Sequence, residues 1–169
     1  WEIYVSSDMA VHVFEKIMDR NKEIEIKLCG LHSLDSCRIE KAYRHFGHDI
    51  SSEDNAIEAG LGFAVKTQKS KSKFGDFIGK QAIEKKKQEG VEKRLMQFVL
   101  NDPQPLLLHN EPIIRDDEIV GYLSSGNYGH FLGASVGMGY VLCNTKGESK
   151  ELQLESEYMI AVSYTHLTL

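Results

Sequence analysis

Residues 111–124 read Glu-Pro-Ile-Ile-Arg-Asp-Asp-Glu-Ile-Val-Gly-Tyr-Leu-Ser. Two short runs of β-forming residues, 111–115 and 119–124, flank Asp116-Asp117, and the pattern predicts a hairpin with the two aspartates at its tip. The same character extends outward on both sides. Residues 94–100 form a candidate strand closed by Pro103 and Pro105, a glycine-studded strand is expected over 135–142, and another over 150–162. Short strands at this spacing, with no helical period between them, predict a small barrel or sandwich from residue 93 onward.

Upstream of Glu92 the pattern changes. Residues 1–5 (Trp-Glu-Ile-Tyr-Val) alternate and read as a strand. Ser6, Ser7 and Asp8 supply the cap and first turn of a helix that places Ala10, Val13, Phe14, Ile17 and Met18 on one core-facing stripe. Ile24, Ile26 and Leu28 alternate as a half-buried strand. A second helix is expected from Ser33 to about Phe46, with Ile39, Ala42, Tyr43 and Phe46 as its apolar stripe and an Asp35–Arg38 pair on its surface. A short strand over 60–66, a basic loop carrying Lys69, Lys71 and Lys73, and a third helix over 79–88 with Gly90 as its left-handed terminator complete this half. The expected class is α+β, with one domain over 1–92 and an all-β barrel domain over 93–169.

The 169 residues carry 25 acidic and 20 basic side chains, a formal charge of −5, which argues against a duplex nucleic-acid binder. Three cysteines, Cys29, Cys37 and Cys143, lack the number and spacing of a disulfide framework and fit free thiols in a reducing compartment. No apolar run reaches the roughly 20 residues of a membrane-spanning helix. The expected location is the cytoplasm, or the mitochondrial matrix for a eukaryotic parent. The chain opens at Trp1, without an initiator Met and inside a predicted strand, so it reads as a piece of a longer protein.

Several residue groups invite chemical readings. His45, His48 and Asp49 have metal-ligand chemistry but no nameable third and fourth ligands, and read instead as polar residues at a helix end. Ser124, Ser125 and His130 lack the strand–Gly-x-Ser-x-Gly–helix setting of a hydrolase. The glycines at 126, 129, 133, 137 and 139 precede no helix that could hold a phosphate, and fit hairpin turns and close strand packing. Lys85, Lys86 and Lys87 read as a solvated face. Arg38 has the forked donor geometry to hold a carboxylate, and a surface pair with Asp35 accounts for it equally. Glu2, an acid within an aromatic-rich run, requires either exposure or a partner.

Five segments, taken in order, are similar to one superfamily: 1–5; Leu-Asp-Ser-Cys-Arg-Ile-Glu-Lys-Ala-Tyr-Arg-His-Phe-Gly-His-Asp at 34–49; Ile-Glu-Ala-Gly-Leu-Gly-Phe-Ala-Val-Lys at 57–66; Phe-Ile-Gly-Lys-Gln-Ala at 77–82; and Gly-Tyr-Leu-Ser-Ser-Gly-Asn-Tyr-Gly-His at 121–130. They resemble the tetrahydrofolate-binding aminomethyltransferase fold of the glycine-cleavage T-protein, and more closely the carboxyl-terminal half of dimethylglycine and sarcosine dehydrogenases. The resemblance implies a tetrahydrofolate site in which Glu2, Ile3 and Tyr4 line the pocket and Phe63 supplies a stacking ring. It also implies a parent whose missing amino-terminal part carries FAD and oxidises an N-methyl amine. The superfamily's catalytic Asp lies upstream as well, so no catalytic residue is assigned here and the piece alone is expected to be inactive.

Three departures matter. Leu34 stands where the T-protein has Arg, which favours the dehydrogenase branch. Phe63 replaces a Tyr of dimethylglycine dehydrogenases, and Ala56 replaces a Pro. Residues 161–169 do not continue the family's last strand and are read as a non-native scar over about the last eight residues. Two alternatives accompany the dehydrogenase reading: a piece of a glycine-cleavage aminomethyltransferase, and a non-catalytic regulatory subunit of the pyruvate dehydrogenase phosphatase type, whose ligand would be a partner protein.

Overall fold

The computed structural model describes residues 2–67, 76–145 and 147–162. The readings placed on Trp1, on Lys69, Lys71 and Lys73, and on residues 163–169 lie outside the described residues. The chain divides into two compact units, Trp1–Leu34 and Asp35–Leu169.

The first unit is helical. Helix α1 spans Ser7–Met18 with Ser6 at its N-cap, as its sequence predicts, and a 3-10 turn Asp19–Lys22 follows. Its apolar stripe is not core: no residue of α1 is buried and Phe14 is 51% exposed. Over the described residues 2–5 and 23–28 the expected strands do not form. Residues 2–5 and 25–30 are irregular, and no strand among the described residues pairs with them. Alternation alone cannot hold a strand whose backbone donors and acceptors have no ladder to join. Asn21 instead turns the chain, its side chain accepting the backbone N–H of Ile26 at 2.7 Å.

Helix α2 spans Leu31–Glu40 and stops well short of the expected Phe46. Ala42 adopts φ 53°, in the left-handed region, and the helix cannot continue through it. Tyr43 and Phe46 are consequently exposed, and only Ile39 of the expected stripe is fully buried. Helix α3 spans Lys80–Glu89, and Gly90 ends it with φ 84°; its ψ of 175° makes the stop extended rather than left-handed. Residues 62–64 form a 3-10 turn, Gly62–Ala64, in place of the short strand expected over 60–66.

Beyond residue 92 the predicted β character holds. Strands β1 (Lys93–Val99), β2 (Pro112–Arg115), β3 (Glu118–Gly129), β4 (Ala134–Leu142) and β5 (Met159–Ile160) form an antiparallel sheet in the order β1-β4-β3-β2-β5. Asp116 and Asp117 both take positive φ, 53° and 62°, the backbone of the tight turn that joins β2 to β3. One stretch departs from expectation: residues 150–155 are a short helix, α4 (Lys150–Glu155), because the Ser149 side chain caps the Leu152 N–H.

Two apolar clusters cover the sheet. Leu107, Ile113, Val120, Leu123 and Val141 form one; Val136 and Met138 close on Ile39 of α2 in the other. Polar contacts fasten the end of α2 to the sheet. Gln97 on β1 donates to the Ile39 carbonyl at 2.6 Å, satisfying one of the acceptors every helix end leaves open. Glu40 Oε1 accepts the backbone N–H groups of Phe131 and Leu132 at 2.8 and 3.1 Å, in the turn between β3 and β4.

Close packing explains Gly121 and Gly139 of the sheet. A Cβ at Gly121 would lie 1.9 Å from the Tyr140 carbonyl oxygen, and one at Gly139 would lie 2.4 Å from that of Tyr122. No helix of the described residues is long and apolar enough to cross a membrane.

Candidate functional site

Glu2, Ile3 and Tyr4 lie in the first unit as exposed, irregular chain. The Tyr4 hydroxyl donates to Glu2 Oε2 at 2.5 Å, which fixes one carboxylate oxygen and pushes the phenol's pKa up. Glu2 thus has both features its composition requires, exposure and a partner. Phe63 lies in the second unit, on the 3-10 turn Gly62–Ala64, with its ring 84% exposed. An open carboxylate and an open flat ring have the chemistry to accept N–H groups and to stack on a heterocycle.

The turn that carries Phe63 is held from several sides. Within it, Ala59 N–H donates to the Asn55 carbonyl at 3.0 Å and Leu61 N–H to the Ala56 carbonyl at 2.8 Å. Arg44 donates through Nε to the Ala59 carbonyl at 3.0 Å. Glu58 is buried and pairs with Lys86 of α3 at 2.9 Å, and its carbonyl accepts the Leu95 N–H of β1 at 2.8 Å. Lys86 therefore leaves the solvated face expected of the lysine run, whereas Lys85 pairs with Glu89 on the surface of α3. Lys93 pairs with Asp54 at 2.9 Å and lies 4.0 Å above the ring of Tyr140. Burial, with the Asp54 charge beside it, pushes the Tyr140 hydroxyl far above its ordinary range.

The densest polar cluster centres on Asp49, whose side chain is fully buried. It accepts from Arg38 Nη1 at 2.5 Å, the His45 backbone N–H at 2.8 Å, Ser124 Oγ at 2.6 Å and Ser125 Oγ. Burial by itself would raise this carboxyl's pKa. The serine hydroxyls, the His45 N–H and the Arg38 charge outweigh it and hold the group below its usual range. Arg38 also donates to Asp35 at 3.1 Å, so the expected pair exists; but the guanidinium is largely buried, and its forked donors serve two carboxylates. Asp49 closes a turn by accepting the His45 N–H, beyond the end of α2 at Glu40, so the helix-end capping expected of these polar residues is not what the structure shows. The imidazoles of His45 and His48 stack on each other with centroids 4.3 Å apart.

Ser124 and Ser125 were legible in the sequence only as an unconvincing hydrolase pair. The structure commits both hydroxyls to Asp49, 75 and 76 residues away, and leaves His130 against the Tyr128 ring. No local signal marks such a contact. Arg44 carried no sequence signal either.

Two family models match the chain: the GCVT N-terminal domain over residues 1–69 and the glycine cleavage T-protein C-terminal barrel domain over residues 93–166. A 4-methylaminobutanoate oxidase (formaldehyde-forming) from Paenarthrobacter nicotinovorans is 40% identical over 138 residues, which is 82% of this chain and 16% of that protein. An aminomethyltransferase from Halothermothrix orenii is 36% identical over 151 residues, 88% of this chain and 41% of that protein. The mitochondrial dimethylglycine dehydrogenase of Mus musculus is 31% identical over 155 residues, 92% of this chain and 17% of that protein. The chain thus spans less than half the length of each. Among solved structures, the glycine cleavage system aminomethyltransferase T from Bartonella henselae shares the fold, with a TM-score of 0.65 and 24% identity over 80% of this chain and 36% of that one.

Proposed function

Because the chain belongs to the glycine-cleavage T-protein superfamily, we propose that it is the tetrahydrofolate-binding part of a flavin-dependent N-methyl-amine dehydrogenase of the dimethylglycine/sarcosine type. The observation that carries the reading is the 40% identity to the amine oxidase, together with Leu34 in place of the T-protein's arginine. Tetrahydrofolate, when bound, supplies the nitrogen acceptors for the one-carbon unit released from the amine. The chain's own residues bind and orient it. Glu2, steadied by the Tyr4 hydroxyl, accepts N–H groups of the pterin; Ile3 gives apolar contact; Phe63 offers a stacking face. The chemistry of these side chains supports the reading: Glu2 is an acceptor with one oxygen already engaged by Tyr4, and Phe63 is an exposed ring. FAD belongs to sequence outside this chain, and no residue here is assigned to it.

The test is calorimetric titration of the protein with tetrahydrofolate. Saturable binding is expected, and Glu2→Ala should weaken it by about 1.5–3 kcal/mol, the range for a charged hydrogen bond. An unchanged dissociation constant removes Glu2 from the site, and absence of binding by the unaltered protein removes the folate reading. The aminomethyltransferase reading is favoured by the 36% identity to the Halothermothrix orenii protein. It predicts that the parent accepts an aminomethyl group from a lipoyl carrier protein and oxidises no N-methyl amine.

A further inference from the structure

We propose that Arg44 is the positioning residue for Phe63, an inference that rests on the assignment of that ring to folate. The half-buried guanidinium bridges two backbone carbonyls from separate turns. Nη1 donates to Ala42 at 2.6 Å and Nε donates to Ala59 at 3.0 Å. Both carbonyls sit at conformationally demanding points. Ala42 has φ 53°, and Gly60, which follows Ala59, has φ 69°.

The fit beneath the guanidinium is tight: a Cβ on Gly60 would lie 2.7 Å from Arg44 Nη2. Residue 60 is favoured as glycine by its positive φ, and a side chain there would press on the Arg44 guanidinium. Leu61 and the 3-10 turn bearing Phe63 follow directly. Glu58 and Asp54 anchor the preceding residues to α3 and β1, and Arg44 anchors the last residue before the positive-φ glycine. Its action on the ring passes through the backbone of that turn. A planar fork reaches two acceptors in fixed directions, which a lysine ammonium, a single point of charge on a flexible stem, does not reproduce.

A double-mutant cycle with Phe63 tests the proposal, because a residue that acts only through another loses its effect when that other is removed. Tetrahydrofolate is titrated into the unaltered protein, Arg44→Ala, Phe63→Ala and the double variant, with thermal unfolding followed for each. Arg44→Ala should weaken binding about tenfold, the scale of one good hydrogen-bonded clamp, and less than about twofold in the Phe63→Ala background. Equal losses in both backgrounds, or no loss in either, overturn the role of Arg44. If Phe63→Ala binds as tightly as the unaltered protein, the assignment of the ring to folate fails instead, and the two failures are thereby distinguished. Should Arg44→Ala not fold, Arg44→Lys carries the same cycle, with a loss of a few fold expected while Phe63 is present and none in the Phe63→Ala background.

Discussion

Arg38 and Asp49 meet at 2.5 Å although a helix end and a left-handed turn separate them in the chain. The carboxylate is fully buried and also receives two serine hydroxyls from β3. Arg38 and Asp49 lie within the segment matched by the GCVT N-terminal domain, and Ser124 and Ser125 lie within the segment matched by the barrel domain. A charge taken from water is tolerable only when paired and hydrogen-bonded, and here the partners come from both segments.

Asp49→Ala should therefore destabilise the protein by about 3–5 kcal/mol, the cost of breaking a buried, hydrogen-bonded ion pair. Urea denaturation of the two proteins measures it. The same carboxylate sets a pH dependence. Its pKa is lowered by folding, so its contribution is complete above the unfolded value of about 3.9 and is lost as pH falls through the depressed folded value. The stability difference between the unaltered protein and Asp49→Asn should be flat from pH 7 to about 5 and shrink at lower pH. A difference that grows on acidification would contradict this assignment.

Gly121→Ala should be among the most damaging single-methyl changes. The new Cβ would meet the Tyr140 carbonyl across the β3–β4 ladder, where neither backbone can retreat. A loss of about 3 kcal/mol or more is expected. Gly133→Ala is the control: open space surrounds it, and only its φ of 72° is unfavourable, for a cost of about 1–2 kcal/mol. Thermal melts of the pair check the order.

Ala42→Gly should raise stability by roughly 0.5–1 kcal/mol. The gain is the left-handed penalty of a residue with a Cβ, less the extra freedom glycine has when unfolded. Chemical denaturation is the measurement, and the carbonyl of residue 42 remains available to Arg44 in the variant.

The parts of the fold that sequence reveals are those set by local chemistry. Asp116-Asp117 announced its turn, Ser6 to Asp8 the start of α1, and Gly90 the end of α3. What it concealed depends on contacts distant in the chain. Residues 2–5 have a strand's composition but no neighbouring strand among the described residues; α2 stops where Ala42 turns left-handed; residues 150–155 follow the Ser149 cap rather than their β-like alternation. The site divides in the same way. Glu2 and Phe63 are proposed from the resemblance of their segments to a family, whereas the serines that clasp Asp49 and the carbonyls that engage Arg44 become visible only once the chain is folded.

The Phe131 side chain is 92% exposed at the tip of the β3–β4 turn, yet its amide is tied to Glu40 of α2. That amide and its neighbour at Leu132 are held by the Glu40 carboxylate, and each exchanges with deuterated solvent when that side chain lets go. Two protons on an outlying loop thus serve as a gauge of how often the Glu40 carboxylate releases the β3–β4 turn, readable by hydrogen exchange.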